Sequence, residues 1–305
     1  MTVSPTNAGP APLGPRHWPM WLVVGTMAAL ARLPWPLQRG LGRVLGAGLR
    51  LAMGSRRRIA ERNLELCFPA LDADARQRLL RANFGALGIG LFEFARAWWG
   101  SLPASRRGLR LHGMEHLEAA VAAGRGVILV SGHFTTLEIC GRLLCDHIRL
   151  AGMYRPHSQP VLEWAVKRGR LRYATAMFSR EELRPAIRHL KDGGVLWFAP
   201  DQDTRRGESV YVPFFGRPAS SLTSTHQLAR LSGAAVLAFA HERRDDGGYD
   251  LRVSPAFADF PSRDAMADTA VVMSAIETMV RAAPGQYLWI HRRFKHQPDG
   301  SDPYD

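Results

Sequence analysis

Ser-Gly-His-Phe-Thr-Thr-Leu-Glu occupies positions 131–138, directly after the apolar run Gly-Val-Ile-Leu-Val at 126–130. A buried strand is expected to deliver His133 to its C-terminal end, with Glu138 one turn into the next helix. A carboxylate so placed can reach a histidine at a strand-to-helix corner, fix its tautomer and raise its basicity. Such a pair can deprotonate a hydroxyl for acyl transfer. Spacing alone is a weak signal, because 11 His and 27 acidic residues in 305 give about one His-x-x-x-x-acid match by chance. A second match does occur, His241 with Asp246. It lies in His-Glu-Arg-Arg-Asp-Asp-Gly-Gly-Tyr (241–249), where Asp-Gly and Gly-Gly between apolar runs signal a hairpin turn. Context favours His133, since catalytic groups in open α/β sheets gather beyond the carboxyl ends of the strands.

Three further clusters follow expected elements: Tyr154-Arg155-Pro156, Lys-Arg-Gly-Arg-Leu-Arg at 167–172, and Ala-Pro-Asp-Gln-Asp at 199–203. Arg155, Arg168, Arg170 and Arg172 would suit a phosphorylated substrate, because guanidinium groups bind phosphate through bidentate, charge-assisted bonds. Scattered surface arginines are the plainer reading of each one singly. Asp201 and Asp203 have the Asp-x-Asp spacing with which sugar-nucleotide transferases hold a divalent metal. Alternatively Asp201 orients an arginine or histidine, or the two acids merely form a turn. No Gly-rich phosphate loop is present, which weakens kinase and dehydrogenase readings. Near the C-terminus, Gln-Tyr-Leu-Trp-Ile-His-Arg-Arg-Phe-Lys (286–295) mixes aromatic and basic residues without any nucleic-acid motif. It reads as a final strand or helix, with Leu288 to Ile290 in the core and His291, Arg292, Arg293 and Lys295 on a membrane-proximal face.

The elements that must position these residues follow from periodicity. Helical apolar spacing runs from Leu37 to about Trp99, with stripes at Leu41, Val44, Leu45, Leu49 and at Leu79, Leu80, Phe84, Leu87, Leu91, Phe94. A helical hairpin is expected there, broken over 68–74, with Asp72 or Asp74 capping the second helix. Beyond Leu111, strands are expected at 126–131, 150–154, 195–199, 235–240 and 249–253. Helices are expected at 134–146, 159–168, 180–191, 221–231 and 264–282. The fold class is therefore α/β, a central mixed sheet flanked by helices, with an N-terminal membrane-associated helical region. The expected divisions are a disordered leader (1–17), a membrane anchor or interfacial helix (18–37), a helical lead-in (38–110) and an α/β catalytic core (111–305).

The chain carries 40 Lys and Arg against 27 Asp and Glu, a formal charge of +13, so an anionic partner is expected. With 46% apolar residues it can build a sizeable core. Three cysteines, Cys67, Cys140 and Cys145, fit neither a zinc site nor a disulfide framework, and suit a reducing compartment. The uncharged run Met20–Ala31 has no cleavage box for a signal peptide, and Trp18, Trp21 and Trp35 bracket it as interfacial aromatics do. A span needs about 20 apolar residues, which this stretch reaches only by admitting Arg32 and three prolines. Arg39, Arg43, Arg50, Arg56, Arg57 and Arg58 follow it, and the positive-inside rule assigns them to the cytoplasm.

Over about residues 15–300 the sequence resembles the bacterial late acyltransferases of lipid A biosynthesis, of the lauroyl and myristoyl type, within the wider glycerolipid acyltransferase-like fold. The resemblance is carried by Arg-Asn-Leu-Glu-Leu-Cys-Phe-Pro (62–69), His133 to Glu138, Tyr154-Arg155-Pro156, Arg168-Gly-Arg-Leu-Arg172, Ala199 to Asp203, Val212-Pro-Phe-Phe215 and 286–295. The wider fold commonly has His-x-x-x-x-Asp, and Glu138 is the variant of the narrower family. The resemblance implies transfer of a fatty acyl chain from acyl carrier protein to a 3-hydroxyacyl hydroxyl of a Kdo-modified, bis-phosphorylated lipid A precursor. His133 would be the general base and Glu138 its orienter, with Arg155, Arg168, Arg170 and Asp201 binding substrate. A thioester is already activated, so no metal, nucleotide or other cofactor is implied. The implied partners are the acyl carrier protein, the anionic glycolipid and inner-membrane phospholipid, not nucleic acid, with the catalytic domain on the cytoplasmic face. The rivals are another membrane glycerolipid or glycolipid acyltransferase of the same fold, a metal-dependent glycosyltransferase built on Asp201 and Asp203, and a non-catalytic basic membrane-binding protein.

Overall fold

A computed structural model describes residues 6–203 and 207–305, apart from the side chain of residue 104. The part of the expected leader at 1–5 lies outside the described residues. Residues 6–14 carry no regular element, but Trp21 Nε1 donates to the Pro12 carbonyl at 2.8 Å and Trp164 Nε1 to that of Gly9 at 3.2 Å. These indoles lay the segment against the body of the molecule.

The N-terminal region is helical: α1 (Trp18–Leu30), α2 (Trp35–Ala52), α3 (Gly54–Cys67), α4 (Ala73–Trp99) and the short α5 (Pro103–Arg107). The stretch 18–37, expected as one segment, is divided between α1 and α2. Pro34 cannot continue a helix, and Gln38 Nε2 donates to the carbonyls of Ala31 (3.1 Å) and Leu33 (2.6 Å), closing the corner. No helix among the described residues is long and apolar enough to cross a membrane. The hairpin break falls at 68–72 as expected, and Asp72 caps α4 by accepting from Ala75 N at 2.7 Å. Helices α2 and α4 cross at glycine: a Cβ added to Gly88 would collide with the Gly42 carbonyl and Gly46 backbone, and one at Gly46 with the Phe84 carbonyl. Glycine is what lets these backbones touch.

The remaining chain alternates strands and helices: β1 (Leu109–His112), α6 (Met114–Ala122), β2 (Val127–Val130), α7 (Leu137–Leu144), β3 (Leu150–Tyr154), α8 (Pro160–Arg170), β4 (Ala176–Ser179), α9 (Leu183–Lys191), β5 (Val195–Phe198), β6 (Ser209–Phe214), β7 (Arg217–Leu222), α10 (Ser224–Ser232), β8 (Ala235–Arg243), β9 (Tyr249–Ala256) and α11 (Ala265–Ala282). Among the described residues the main sheet has seven strands in the order β1-β9-β8-β2-β5-β3-β4. Every pair is parallel except the antiparallel hairpin β8–β9, so the sheet is mixed as expected. The turn of that hairpin holds Asp246, which confirms the His241 match as a chance one. Central β2 is Val-Ile-Leu-Val with every side chain fully buried, the pattern of a parallel strand covered on both faces.

Three strand features were not expected from the sequence. β1 and β4 are four-residue strands with little periodicity to display. β6 and β7 pair as a separate two-stranded sheet, whose Pro213 and Pro218 argue against any central strand. The C-terminal run 286–295 starts on the last residue of a 3-10 turn (Pro284–Gln286) and is otherwise neither strand nor helix; it lies across the sheet end, joined by one bridge between Tyr287 and Phe134.

Candidate active site

Strand β2 ends at Val130, and the chain turns through Gly132 and His133 before α7 begins at Leu137. A neighbouring strand, β5, ends at Phe198 and leads into Ala199-Pro200-Asp201. Because β2 and β5 are parallel neighbours in register, His133 and Asp201 emerge side by side beyond the same end of the sheet. Asp201 is fully buried and takes hold of His133 twice. One oxygen accepts from Nδ1 at 2.6 Å, and the other from the His133 backbone N–H at 2.9 Å. Tyr287 donates its hydroxyl to the same second oxygen at 2.8 Å. His133 in return holds the Asp201 carboxyl well below the usual carboxylate range, and Asp201 raises the His133 pKa against the opposing effect of burial. With Asp201 ionised, Nδ1 carries the proton and Nε2 keeps its lone pair toward the cavity that His133 lines.

This pairing corrects the expected role of Glu138. Its described hydrogen bonds run to Trp98 Nε1 (2.6 Å), the Tyr173 hydroxyl (2.6 Å) and Arg170 Nε and Nη2 (3.1 and 2.7 Å), and none to His133. The reason lies in the start of α7, which places Glu138 in its first helical turn, facing α4 and the end of α8. There Glu138 is buried. Burial raises its pKa, but Arg170 and the surrounding donors outweigh this and keep the carboxyl ionised, below its ordinary value. Glu138 and Arg170 therefore form a buried ion pair in the cavity wall. Asp201, not Glu138, orients the imidazole.

Two assignments to substrate change accordingly. Asp201 is 0% exposed with both oxygens taken, so it is a positioning residue and not a ligand for substrate. Arg170 is first of all the counter-ion of Glu138. Arg155 is exposed at the cavity wall, where an anionic group can reach it. Arg168 stands apart: its guanidinium lies 5.2 Å from the Trp164 ring centroid, beside a second cavity shared with Trp21 and Trp99. The Asp-x-Asp pair is divided between two histidines, since Asp203 accepts from His296 Nδ1 at 2.6 Å and from its backbone N–H at 2.9 Å. No group of three His, Cys, Asp or Glu among the described residues is arranged to hold a metal ion.

The cavity encloses about 540 Å³. Polar groups (His133, Arg155, His291) gather at the sheet end, while Leu87, Leu91 and Phe94 of α4 with Leu150, Met177 and Trp197 give an apolar wall. The lining thus joins a polar end to an apolar wall. A sequence model of the bacterial lipid A biosynthesis acyltransferases matches residues 8–296. The chain belongs to that family. It is 39% identical over 290 residues to the lipid A biosynthesis lauroyltransferase of Escherichia coli strain K12, covering 94% of this chain and 95% of that one. The lipid A biosynthesis palmitoleoyltransferase of the same strain is likewise 39% identical over 290 residues, with 94% of each chain covered. Among solved structures, the 1-acyl-sn-glycerophosphate acyltransferase of Thermotoga maritima aligns over 81% of this chain and 97% of its own, at 15% identity and a TM-score of 0.39. The lipid A family membership makes the chain an acyltransferase.

Several site residues escaped the sequence reading. Tyr287 lay in the C-terminal run whose aromatics were read as core, and Trp98 and Tyr173 carried no motif of their own. His291 and Arg293 were expected on a membrane-proximal face. Instead His291 lines the cavity, and Arg293 is 1% exposed, donating to the Ser220 carbonyl and Ser221 hydroxyl at 2.6 Å each. Only the end-on packing of 286–295 against β2 brings them there, which no local pattern encodes.

Proposed function

We propose that the chain transfers a fatty acyl group, of lauroyl type, from acyl carrier protein to a 3-hydroxyacyl hydroxyl of a Kdo-modified, bis-phosphorylated lipid A precursor. The observation that carries the reading is His133, fixed through Nδ1 on buried Asp201 and facing a cavity with an apolar wall. His133 Nε2 takes the proton of the acceptor hydroxyl as its oxygen attacks the thioester carbonyl carbon. The carbonyl π electrons move onto oxygen; collapse of the tetrahedral intermediate expels the thiolate, and the His133 imidazolium returns the proton to sulfur. Asp201 stabilises the imidazolium, as a carboxylate does in a Ser-His-Asp triad. Arg155 meets an anionic group of the acceptor. The apolar wall receives acyl chain, though lauroyl and palmitoleoyl enzymes are equally similar in sequence.

The site of action is the cytoplasmic face of a bacterial inner membrane. Supporting this, α1 exposes Trp18, Leu22 and Val23, and α2 exposes Leu37, Leu41, Val44, Leu45 and Leu51. Arg43, Arg56 and Arg58 are exposed nearby, and such residues gain about 1 kcal/mol each beside anionic lipid. These faces suit an interfacial seat for the N-terminal helices. The charge of +13 serves acidic carrier protein, phosphorylated acceptor and lipid surface together. Mass spectrometry of lipid A from a strain lacking the chain tests the proposal. Loss of one secondary acyl chain is expected; unchanged lipid A with altered phospholipids would overturn it in favour of another glycerolipid acyltransferase.

A further inference from the structure

The attack on a thioester leaves a developing oxyanion that needs donors. Three residues that line the cavity each carry a buried polar side-chain atom with no hydrogen-bond partner among the described residues: Thr135 Oγ1, Trp197 Nε1 and His291 Nε2. Trp197 is wedged edge-on between the rings of Phe239 and His241. The Thr135 carbonyl and Cβ lie against Gly90 of α4, where an added Cβ would meet them. His291 lines the same cavity as His133 and stands on the C-terminal run.

The backbone around His291 is bolted to the His133 turn. Leu288 N donates to the His133 carbonyl at 2.9 Å and Thr135 N to the Gln286 carbonyl at 2.8 Å. Tyr287 reaches Asp201. From α3, buried Asn63 Nδ2 donates to the carbonyls of Trp289 (2.6 Å) and His291 itself (2.7 Å). The His291 backbone is thereby held in fixed relation to the His133 turn. Leaving a buried polar atom without a partner is costly in a folded protein, and the cost is recovered when a ligand supplies one.

Resting on the acyl-transfer reading above, we propose that His291 is a second catalytic imidazole, which donates a hydrogen bond from Nε2–H to the oxyanion of the tetrahedral intermediate. Burial pushes its pKa below the ordinary histidine value, Asp201 opposing and His133 adding to the effect, so it acts as a neutral donor and transfers no proton. The carbonyl oxygen gains and then loses the electron pair, while the moving proton travels by way of His133.

The test compares the full-length wild type with His291→Phe, His291→Gln and Thr135→Val, using lauroyl-acyl carrier protein and the bis-phosphorylated precursor. Removing one oxyanion donor typically lowers kcat about 10²- to 10³-fold. His291→Phe should lose that much with KM little changed. His291→Gln, whose amide restores a donor, should recover at least a tenfold share of it, and the pH at which His133 titrates should stay put in both. His291→Phe retaining kcat within threefold would overturn the proposal, as would equal losses in Phe and Gln, or the whole loss appearing in Thr135→Val. Thermal melting checks folding; if His291→Phe fails to fold, His291→Ala replaces it and the ratio to Gln is read in the same way. A wild type inactive with both substrates would instead count against the acyl-transfer reading.

Discussion

Asp203 grips His296 in the way Asp201 grips His133, each carboxylate accepting from a ring Nδ1 at 2.6 Å and from the same residue's backbone N–H at 2.9 Å. One loop thus anchors two histidines, of which His133 belongs to the turn after β2 and His296 to the C-terminal run. The two aspartates have different duties. Asp201→Asn should cut kcat by roughly 10²- to 10⁴-fold through loss of imidazolium stabilisation and tautomer control. It should also move the acidic limb of the rate profile to lower pH. Asp203→Asn should weaken the fit of the C-terminal run while leaving that limb where it is. Rate profiles of both variants check this; a limb that moves equally in both would contradict it.

In the wild type, the acidic limb of kcat/KM is expected above the ordinary histidine value of about 6.5. The sign follows from the pairing: Asp201 raises the His133 pKa, the base works only when neutral, and activity is therefore lost as pH falls through that raised value. A limb at or below the ordinary value would show that Asp201 does not control the base.

Glu138 and Arg170 should behave as a coupled buried pair. Removing either partner leaves an uncompensated charge, which costs about 3–5 kcal/mol. Glu138→Gln and Arg170→Met should each destabilise by that order, and the double variant by clearly less than the sum. Chemical denaturation of the four proteins reads the cycle. Because the Glu138 pKa is lowered on folding, the pair's contribution is present above the unfolded value and fades as pH falls through the folded one.

The crossing of α2 on α4 offers a steric test. Gly88→Ala puts a methyl group into the Gly42 carbonyl, where backbone and not a flexible side chain must yield. Overpacking typically costs about 1–3 kcal/mol. Gly48→Ala, on the partner helix α2, meets only open space and should be neutral or stabilising. Equal melting shifts in the two would show that the crossing is not close-packed.

His241 supplies an acid-sensitivity test away from the chemistry. It is buried, its Nδ1 is 2.9 Å from the Thr136 hydroxyl, and burial pushes its pKa down to about 3. Stability tied to its neutral form is present above the unfolded value of about 6.5 and is lost as pH falls toward 3. His241→Gln should lower stability at pH 7 yet flatten its fall between pH 6.5 and 4, as denaturation at each pH would show. An unchanged slope would remove His241 as a cause of acid lability.

The sheet was legible where strands are long apolar runs, and the His133 turn was legible because β2 is such a run and is followed by Ser-Gly-His. Acid partners were harder. Glu138 stands at a fixed sequence distance from His133, which made it the natural orienter, whereas the actual one comes from the end of β5, 68 residues away. That pairing depends on β2 and β5 being parallel neighbours, a fact of sheet order and not of local pattern. The Asp-x-Asp loop had been open to an orienting role, and sheet order decided it. Likewise Tyr287 and His291 reached the site through an irregular segment whose placement rests on Asn63, Asn83 and Tyr304, residues with no periodic signature.

The central claim is that His133 is the general base. Acyl transfer from lauroyl-acyl carrier protein, measured with His133→Asn in protein whose melting temperature matches wild type, tests it most directly. Removing a general base and its imidazolium should lower kcat by about 10²- to 10⁴-fold while the protein still associates with anionic vesicles. A folded His133→Asn enzyme turning over within tenfold of wild type would contradict the account.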